Sequence, residues 1–273
     1  MLARTKGPKY KQYPCYVQPK LNGIRALYQH GRFQSRDEKF WLTNVLQHLY
    51  DELASIAVGD LILDGELYVH GWKLQRINSA VAVNRLHPTE DTRHVNFYIF
   101  DVVDPSKSFS DRWFEVYHGL MSADLPHIRA VATTICHNEN MVDWHFKLYG
   151  GEGYEGIMLR PDGPYEFGEH MARHGQNLTQ FRSRYLWKHK HWEDGEFRCI
   201  NVTDGEGKAD IGIGALVCWT NGCGQTFKVG TGFSDEERIE FKNNPPIGRD
   251  IKVRYLCLTN DGVPFNPSFQ CVM

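Results

Sequence analysis

Two patterns of hydrophobic and polar positions alternate along the first 190 residues. Runs rich in aromatic and β-branched residues, such as NFYIFDVVD at 96–104, predict buried strands. Runs with apolar residues three and four apart predict amphipathic helices, and the clearest is WLTNVLQHLYDELASI at 41–56. Its apolar face consists of Val45, Leu46, Leu49, Tyr50 and Leu53. The alternation predicts a mixed α+β domain.

The same patterns predict the other elements of this part of the chain. Segments 72–85 and 139–150 predict helices, and Gly150 is placed to end the second one. The remaining segments predict strands. They are CYVQPKLNGIRALYQHGRFQSRDE at 15–38 (strands separated by turns), DLILDGELYVHG at 60–71 (a strand pair or hairpin), GIMLR at 156–160 and YLWKHK at 185–190.

The pattern changes after about residue 190, where short strands recur at even spacing. They are FRCINVT at 197–203, ALVCWT at 215–220, QTFKVG at 225–230 and DIKVRYLCL at 250–258. Gly/Asn/Asp turns separate them, and SDEERIEFKN at 234–243 predicts one helix. This is typical of a small β-barrel. We therefore predict two domains, 1–190 and 191–273, with a boundary between Lys190 and Glu193.

Composition excludes several classes of protein. Hydrophobic residues make up 41% of the chain and charged residues 23%, the ordinary balance of a folded protein. No apolar run approaches the ~18 residues of a membrane span, and the basic first 14 residues contain no secretory signal, so we expect a cytoplasmic protein, or one in a host's cytoplasm if the source is viral. The seven cysteines form no C-x-x-C pair, which argues against a zinc ribbon and a disulfide framework and favours reduced, packed thiols.

The candidate nucleophile is Lys20 in the segment PKLNGIR at 19–25. A lysine followed by a small, polar, glycine-containing turn is held on a tight bend, and its amine becomes nucleophilic when nearby cations or burial lower its pKa. By itself this K-x-x-G pattern is a weak signal, since many surface lysines precede a turn.

Lys20 is followed, in order, by five further short motifs. They are Ser35-Arg36, Asp64-Gly65-Glu66, Phe100-Asp101, Glu155-Gly156 and the alternating pair Lys188 and Lys190. The series resembles the ATP-dependent DNA ligases of the covalent nucleotidyltransferase superfamily, whose pattern is K-x-D-G-x-R, S-R, D-G-E, an aromatic-Asp strand, E-G-x-x-x-K/R and K-x-K. The segments 193–197, 205–217, 228–238 and 263–269 are similar to the oligonucleotide-binding (OB) domain of the same family.

The resemblance implies a fold and a reaction. We expect an adenylation domain of antiparallel sheets with helices, followed by an all-β OB-fold barrel. The expected reaction seals 5′-phosphate/3′-hydroxyl nicks in duplex DNA through a lysine–AMP and then an adenylylated-DNA intermediate. The implied cofactors are ATP and Mg²⁺, with Mn²⁺ possible in its place. The implied partner is nicked double-stranded DNA, with no membrane, and the enzyme is expected to be a monomer.

The resemblance also assigns roles to individual residues. The catalytic residues are Lys20, Lys188 and Lys190, and the metal ligands are Glu155 and Glu66. The cofactor-binding residues are Gln18, Lys20, Arg25, Arg36, Glu66, Phe100, Ile157, Lys188 and Lys190, with Phe100 and Ile157 on the two faces of adenine and Gln18 at its edge. Asp64 is expected to support its strand. The DNA-binding residues are Arg25, Arg36, Arg182 and Arg184, since guanidinium groups match phosphate oxygens bidentately.

Three departures from the family pattern affect these expectations. Asn22 stands where most members have Asp, which predicts weaker metal support. The segment 164–186 is long and carries His170, Arg173 and His174, so it is either an extra DNA contact or a tolerated insertion. The usual basic C-terminal motif is missing, and Arg249, Lys252 and Arg254 are the candidates to replace it. With no room for a DNA-clasping hairpin, we expect a minimal ligase whose DNA binding depends strongly on salt.

Three other functions remain open from the sequence. An mRNA-capping guanylyltransferase shares the lysine–nucleotide chemistry and would use GTP. An RNA ligase shares the nucleotidyltransferase domain and usually lacks this type of barrel. A non-catalytic module that binds nicks or single strands would need only an OB surface.

Overall fold

The computed structural model divides into two units, unit 1 (Met1–His189) and unit 2 (Lys190–Met273). It describes residues 1–6, 10, 12–56, 59–121, 123, 125–166, 182–206, 211–220, 222–259 and 261–273. Within those ranges, no helix is both long and apolar enough to span a membrane.

Unit 1 contains ten strands and four α-helices among its described residues. The strands are β1 (Arg4–Thr5), β2 (Cys15–Pro19), β3 (Ile24–Gln29), β4 (Arg32–Ser35), β5 (Leu63–Tyr68), β6 (Asn96–Val102), β7 (Ile128–Ala130), β8 (Thr134–Cys136), β9 (Gly156–Pro161) and β10 (Trp187–Lys190). The helices are α1 (Gln47–Ala54), α2 (Leu74–Val81), α3 (Phe109–Met121) and α4 (Glu139–Gly151), and a short 3₁₀ helix covers Glu90–His94. Lys190, the last residue of β10, is the first residue of unit 2.

These strands form two five-stranded sheets. The first has the order β1-β10-β9-β2-β8 and the second β4-β3-β5-β6-β7. Most neighbours are antiparallel, but β1 with β10 and β6 with β7 are parallel. The larger hydrophobic core lies against the second sheet and includes Phe33, Leu49 and Phe97, while a smaller core lies against the first sheet and includes Val17 and Leu159. Unit 1 is thus the mixed domain that the sequence predicts.

The predicted helices form where the hydrophobic spacing indicated. The buried side chains of α1 are Leu49, Tyr50 and Leu53, all on its predicted apolar face. Helix α4 begins after Asn138, whose side chain accepts a hydrogen bond from the Met141 amide and so caps the helix. Helix α3 was not predicted, because its buried face of Phe109, Arg112 and Val116 carries an arginine in the apolar stripe.

The segment 60–71 differs from its prediction. Instead of a strand pair or hairpin, it contains one strand, β5, which lies between β3 and β6. Gly65 does not form a turn there. A Cβ on Gly65 would lie 2.5 Å from the Phe97 ring, so glycine allows the neighbouring strand and its aromatic side chain to approach closely.

Unit 2 contains a five-stranded sheet, a two-stranded sheet and one helix among its described residues. The strands are β11 (Glu193–Asp204), β12 (Ile213–Trp219), β13 (Thr226–Val229), β14 (Asp250–Tyr255), β15 (Cys257–Leu258), β16 (Pro264–Phe265) and β17 (Ser268–Val272). The sheet order is β13-β12-β11-β14-β17, and β15 pairs separately with β16. The edge strands β13 and β17 do not pair with each other over their described residues, so the sheet is open there and does not form a closed barrel.

The helix of unit 2, α5 (Asp235–Asn243), matches the predicted segment. Its first turn is closed by a capping box. The Ser234 hydroxyl accepts a hydrogen bond from the Glu237 amide at 3.1 Å, and the Glu237 carboxylate accepts one from the Ser234 amide at 2.8 Å. Phe241 is buried in a core with Phe227 and Phe269, so α5 covers the hydrophobic face of the sheet.

Candidate active site

A pocket of about 180 Å³ in unit 1 brings together side chains from both sheets. Six of the predicted site residues line it, namely Gln18, Lys20, Arg25, Glu66, Phe100 and Lys188. They come from positions that are as much as 170 residues apart in sequence, which is why only the folded chain assembles them. Residues 1–3 complete part of the wall.

Lys20 stands where the chain leaves strand β2. Its amide donates a hydrogen bond to the Gly156 carbonyl at 2.8 Å, and its carbonyl accepts one from the Glu155 amide at 3.2 Å. These two bonds extend the β2–β9 pairing by one residue and place the two side chains together. The Lys20 ammonium forms an ion pair with the Glu155 carboxylate, and both side chains are largely buried.

Glu66 approaches Lys20 from the second sheet. Its carboxylate accepts a hydrogen bond from the Gly23 amide at 3.1 Å, in the turn that follows Lys20. Burial raises the pKa of Glu66 to about 7, although the nearby charges of Lys20 and Arg25 oppose the rise. Gly23 is required at this turn, because a Cβ would lie 2.4 Å from the Leu67 carbonyl oxygen.

Arg25 forms a fixed cationic wall of the pocket. Its Nε and Nη2 donate to the two carboxylate oxygens of Asp64 at 2.9 and 2.7 Å. Tyr165, which was not predicted, donates its hydroxyl to Asp64 at 2.8 Å. Burial would raise the pKa of Asp64, but the Arg25 guanidinium holds that pKa below its usual value. Asp64 was predicted to support its strand, and the residue that it holds in place is Arg25.

Gln18 and Phe100 are linked at the floor of the pocket. The Gln18 side-chain amide donates to the Phe100 carbonyl at 3.1 Å and to the Thr133 hydroxyl at 2.9 Å. Its oxygen accepts a hydrogen bond from Arg160 Nε at 2.7 Å. The Arg160 guanidinium also lies 5.3 Å from the centre of the Phe100 ring, within the range of a cation–π contact.

Three buried charges to which the sequence analysis gave no role support this floor. Asp101 accepts hydrogen bonds from Arg112 Nε and Arg160 Nη1, both at 2.7 Å, and its side chain is completely buried. Asp101 and Arg160 belong to the aromatic-Asp and E-G-x-x-x-K/R motifs, so the sequence identifies both positions. It does not show that Asp101 pairs with Arg160 and Arg112, because these ion pairs join β6 to β9 and to α3.

Some predicted residues lie outside the pocket. Ile157 is completely buried in the smaller core of unit 1, and its neighbour Met158 lines the pocket instead, because successive strand residues face opposite sides. Arg36 lies exposed in the turn after β4. Lys190 belongs to unit 2, whereas the pocket as described is formed by unit 1 alone.

The remaining predicted arginines have protein partners. Arg182 Nη1 donates to the Ala3 carbonyl at 2.7 Å, and Arg184 forms an ion pair with Glu166 at 2.9 Å. His170, Arg173 and His174 lie outside the described residues.

The three basic residues that were the candidates for the role of the family's C-terminal motif also have protein partners. Arg254 and Lys252 both pair with Asp194, at 3.0 and 3.8 Å, and Arg249 donates to the Met273 carbonyl at 2.7 Å.

Comparison with known families accounts for both units. The profile of the ATP-dependent DNA ligase domain matches residues 3–176, and the profile of the DNA ligase OB-like domain matches residues 204–272. The chain belongs to the ATP-dependent DNA ligase family. The fold of this ligase family member is accordingly an adenylation domain followed by an OB-like domain.

Individual relatives agree with this assignment. The chain is 30% identical over 214 residues to a DNA ligase of African swine fever virus, an alignment that covers 74% of this chain and 48% of the relative. It is 26% identical over 204 residues to a DNA ligase of Haemophilus influenzae, covering 74% and 68% of the two chains. The chain therefore spans about half the length of the viral relatives that it matches.

Solved structures show the same fold. A Lig E DNA ligase superposes with a TM-score of 0.80 at 25% identity, covering 100% of this chain and 98% of that one. A Chlorella virus DNA ligase-adenylate superposes with a TM-score of 0.55 at 24% identity, covering 100% and 96%. Both structures are of DNA ligases, and the second is a ligase-adenylate.

Proposed function

We propose that this protein is a DNA ligase that uses ATP to seal nicks with a 5′-phosphate and a 3′-hydroxyl in duplex DNA. The observation that carries the proposal is the position of the Lys20 amine. It lies in a pocket that also contains the carboxyl group of Glu66 and the cationic groups of Arg25 and Lys188, beside the Glu155 carboxylate. A nucleophilic amine among cations is the arrangement that attack on a phosphate group needs.

In the proposed first step, Lys20 Nζ attacks the α-phosphorus of ATP. A nitrogen–phosphorus bond forms, the bond to the bridging oxygen breaks, and pyrophosphate leaves. The lysine must be neutral to attack, so the ion pair with Glu155 describes the resting state, and the ammonium proton must leave first. We propose that Lys188 and Arg25, which both line the pocket, offset the negative charge on the phosphate oxygens.

In the second step, a 5′-phosphate oxygen of the nick attacks the same phosphorus, the bond to Lys20 breaks, and the amine regains a proton. In the third, the 3′-hydroxyl attacks the 5′-phosphate, AMP leaves, and the hydroxyl proton goes to solvent. All three steps use one pocket. Because the pocket is formed by unit 1 of a single chain, we propose that the enzyme acts as a monomer.

We propose that the nucleotide base stacks on Phe100 and that Met158 takes the place assigned to Ile157. Arg36, Arg182 and Arg184 remain proposed contacts to phosphates, since all three are exposed.

Divalent metal use is part of the proposal. No group of three or more metal-ligating side chains occurs within the part of the chain that the structure describes. That fits Mg²⁺, which is commonly held by one or two carboxylates together with substrate phosphates. Glu155 and Glu66 are the carboxylates that would hold it, and the ion would neutralise charge on the phosphate oxygens.

The test is labelling with α-labelled ATP or GTP in the presence of Mg²⁺, followed by denaturing electrophoresis. The proteins compared are the wild type, Lys20→Ala and, as a matched control, Lys39→Ala, which removes an exposed lysine outside the pocket. We expect a labelled band from ATP in the wild type and the control, no band in Lys20→Ala, and loss of the band when nicked duplex DNA is added.

Other outcomes assign other functions. Label from GTP alone identifies a guanylyltransferase. Label that is discharged by nicked RNA and not by nicked DNA identifies an RNA ligase. A wild type that neither takes up label nor seals a pre-adenylylated nick refutes the ligase proposal.

A further inference from the structure

The amide of Gln18 has only one chemically allowed orientation. Arg160 Nε can donate a hydrogen bond and cannot accept one, so the group that faces it at 2.7 Å must be the amide oxygen. The Phe100 carbonyl can only accept, so the group that faces it at 3.1 Å must be the NH₂. The two ends of the amide thus agree, and rotating it by 180° would produce a donor–donor and an acceptor–acceptor contact.

This orientation determines whether Gln18 can still donate or accept a hydrogen bond at the pocket floor. Both amide hydrogens are used, one on the Phe100 carbonyl and one on the Thr133 hydroxyl. The amide oxygen accepts one bond from Arg160, and an amide oxygen has two lone pairs. Gln18 therefore has acceptor capacity left and no donor capacity left.

The two purines differ in what they bring to such a group. Adenine carries an amino group at position 6, which donates, whereas guanine carries an oxygen at that position, which accepts. An oriented amide oxygen can bind the first and repels the second. If the amide were free to rotate, it could bind either base.

We propose that Arg160 is a positioning residue that makes the pocket select adenine over guanine by fixing the orientation of the Gln18 amide. The inference rests on the proposed nucleotide-binding function. Arg160 is itself held in place, because its Nη1 donates to Asp101 at 2.7 Å and its side chain is almost completely buried. The Arg160 guanidinium lies beside the Phe100 ring, which is proposed to stack on the base. It also binds the Gln18 amide, which is proposed to contact the edge of the base.

The chain offers a matched control for Arg160. Arg112 also forms an ion pair with Asp101 and is also buried, but its other bonds go to the carbonyls of Lys107 and Gly163. Removing either arginine leaves Asp101 with the other one, so each variant keeps one buried cation for one buried anion and should retain the fold. Only the loss of Arg160 removes the hydrogen bond that holds the Gln18 amide oxygen, and the orientation of the amide then rests on the Phe100 carbonyl and the Thr133 hydroxyl alone.

The experiment measures single-turnover labelling with ATP and with GTP for the wild type, Arg160→Met, Arg160→Lys, Arg112→Met, Gln18→Met and the double variant Gln18→Met with Arg160→Met. We expect Arg160→Met to lower the ratio of ATP to GTP labelling roughly tenfold to hundredfold, the range of one mismatched buried hydrogen bond. Arg160→Lys, which keeps a donor, should restore most of the ratio, and Arg112→Met should leave it unchanged. In a Gln18→Met background, Arg160→Met should have no further effect on the ratio.

Several results would overturn the inference. An unchanged ratio in Arg160→Met, or an equal fall in Arg112→Met, would show that Arg160 does not act on base selection. Binding of AMP and GMP to each variant gives the same ratio if labelling is too slow to measure. A wild type that neither labels with any nucleotide nor seals a pre-adenylylated nick would instead refute the proposed function, so the two failures are distinguishable.

Discussion

Replacing Asp101 with Asn keeps the shape of the side chain and removes the charge that compensates two buried arginines. Oδ1 accepts a hydrogen bond from Arg112 at 2.7 Å, and Oδ2 accepts from Arg160 at 2.7 Å and from Arg112 at 3.2 Å. The amide of Asn would turn an NH₂ toward one of these donors. Removing one partner of a buried ion pair costs about 3–5 kcal/mol. We therefore expect Asp101→Asn to lower the free energy of unfolding of unit 1 by that amount.

A matched substitution separates burial from pairing. Asp91 forms the same bidentate contact, with Arg76, at 3.0 and 2.8 Å, but on the surface. The two side chains are 36% and 53% exposed, so solvent already screens the pair. We expect Asp91→Asn to have a much smaller effect than Asp101→Asn.

Native-state hydrogen exchange of amides in β2 and β5 reports the stability of unit 1 directly. At about 1.4 kcal/mol per tenfold, the expected loss accelerates their exchange roughly 10²- to 10⁴-fold in Asp101→Asn. If Asp91→Asn accelerated exchange as much, or if neither variant did, the reasoning about buried charge would be refuted.

Three further predictions concern other parts of the structure. Because burial raises the pKa of Glu66 to about 7, the folded protein binds a proton more tightly there than the unfolded chain does, and stability should fall as pH rises from about 4.5 to 7. Glu66→Gln should flatten that slope in denaturation curves measured across this range, and an unaltered slope would contradict the assignment. Gly65→Ala forces a methyl group against the Phe97 ring and should lower the free energy of unfolding by about 1–3 kcal/mol, measured by urea denaturation. In the control Gly71→Ala, the Cβ meets open space but φ is positive, so this variant measures the cost of the backbone conformation alone. Ser234→Ala removes a helix cap and should cost about 1 kcal/mol, which Ser234→Asp should largely restore, with urea denaturation as the measurement.

The series of short motifs selected residues that the structure brings together, although it could not state their contacts. Lys20, Glu66, Phe100 and Lys188 were chosen from short patterns, and the pocket contains all four. Their roles stay predictions until the labelling experiment is done. Ile157 shows the limit of pattern reading. Whether Ile157 or Met158 lines the pocket depends on which face of β9 is turned toward it, and the sequence alone does not determine that face.

Elements with a clear period were predicted well, whereas features set by tertiary contacts were not. The arginine in the buried face of α3 concealed that helix, because its partner Asp101 lies on the preceding strand β6 and not on the helix itself. The segment 60–71 was predicted to be a strand pair or hairpin, yet it forms one strand, in which the position of Phe97 on the neighbouring strand requires glycine at Gly65. In each case the deciding atom belongs to another segment, and local propensity carries no information about it.

The Asp101 network also constrains how this chain can change in evolution. Its members lie on four different elements, with Gln18 on β2, Asp101 on β6, Arg112 on α3 and Arg160 on β9. A substitution of Asp101 leaves two buried cations without an anion, so drift at that position is blocked unless the arginines change as well. These positions should therefore covary among homologues, and a lineage should either keep the whole set or replace it by correlated changes.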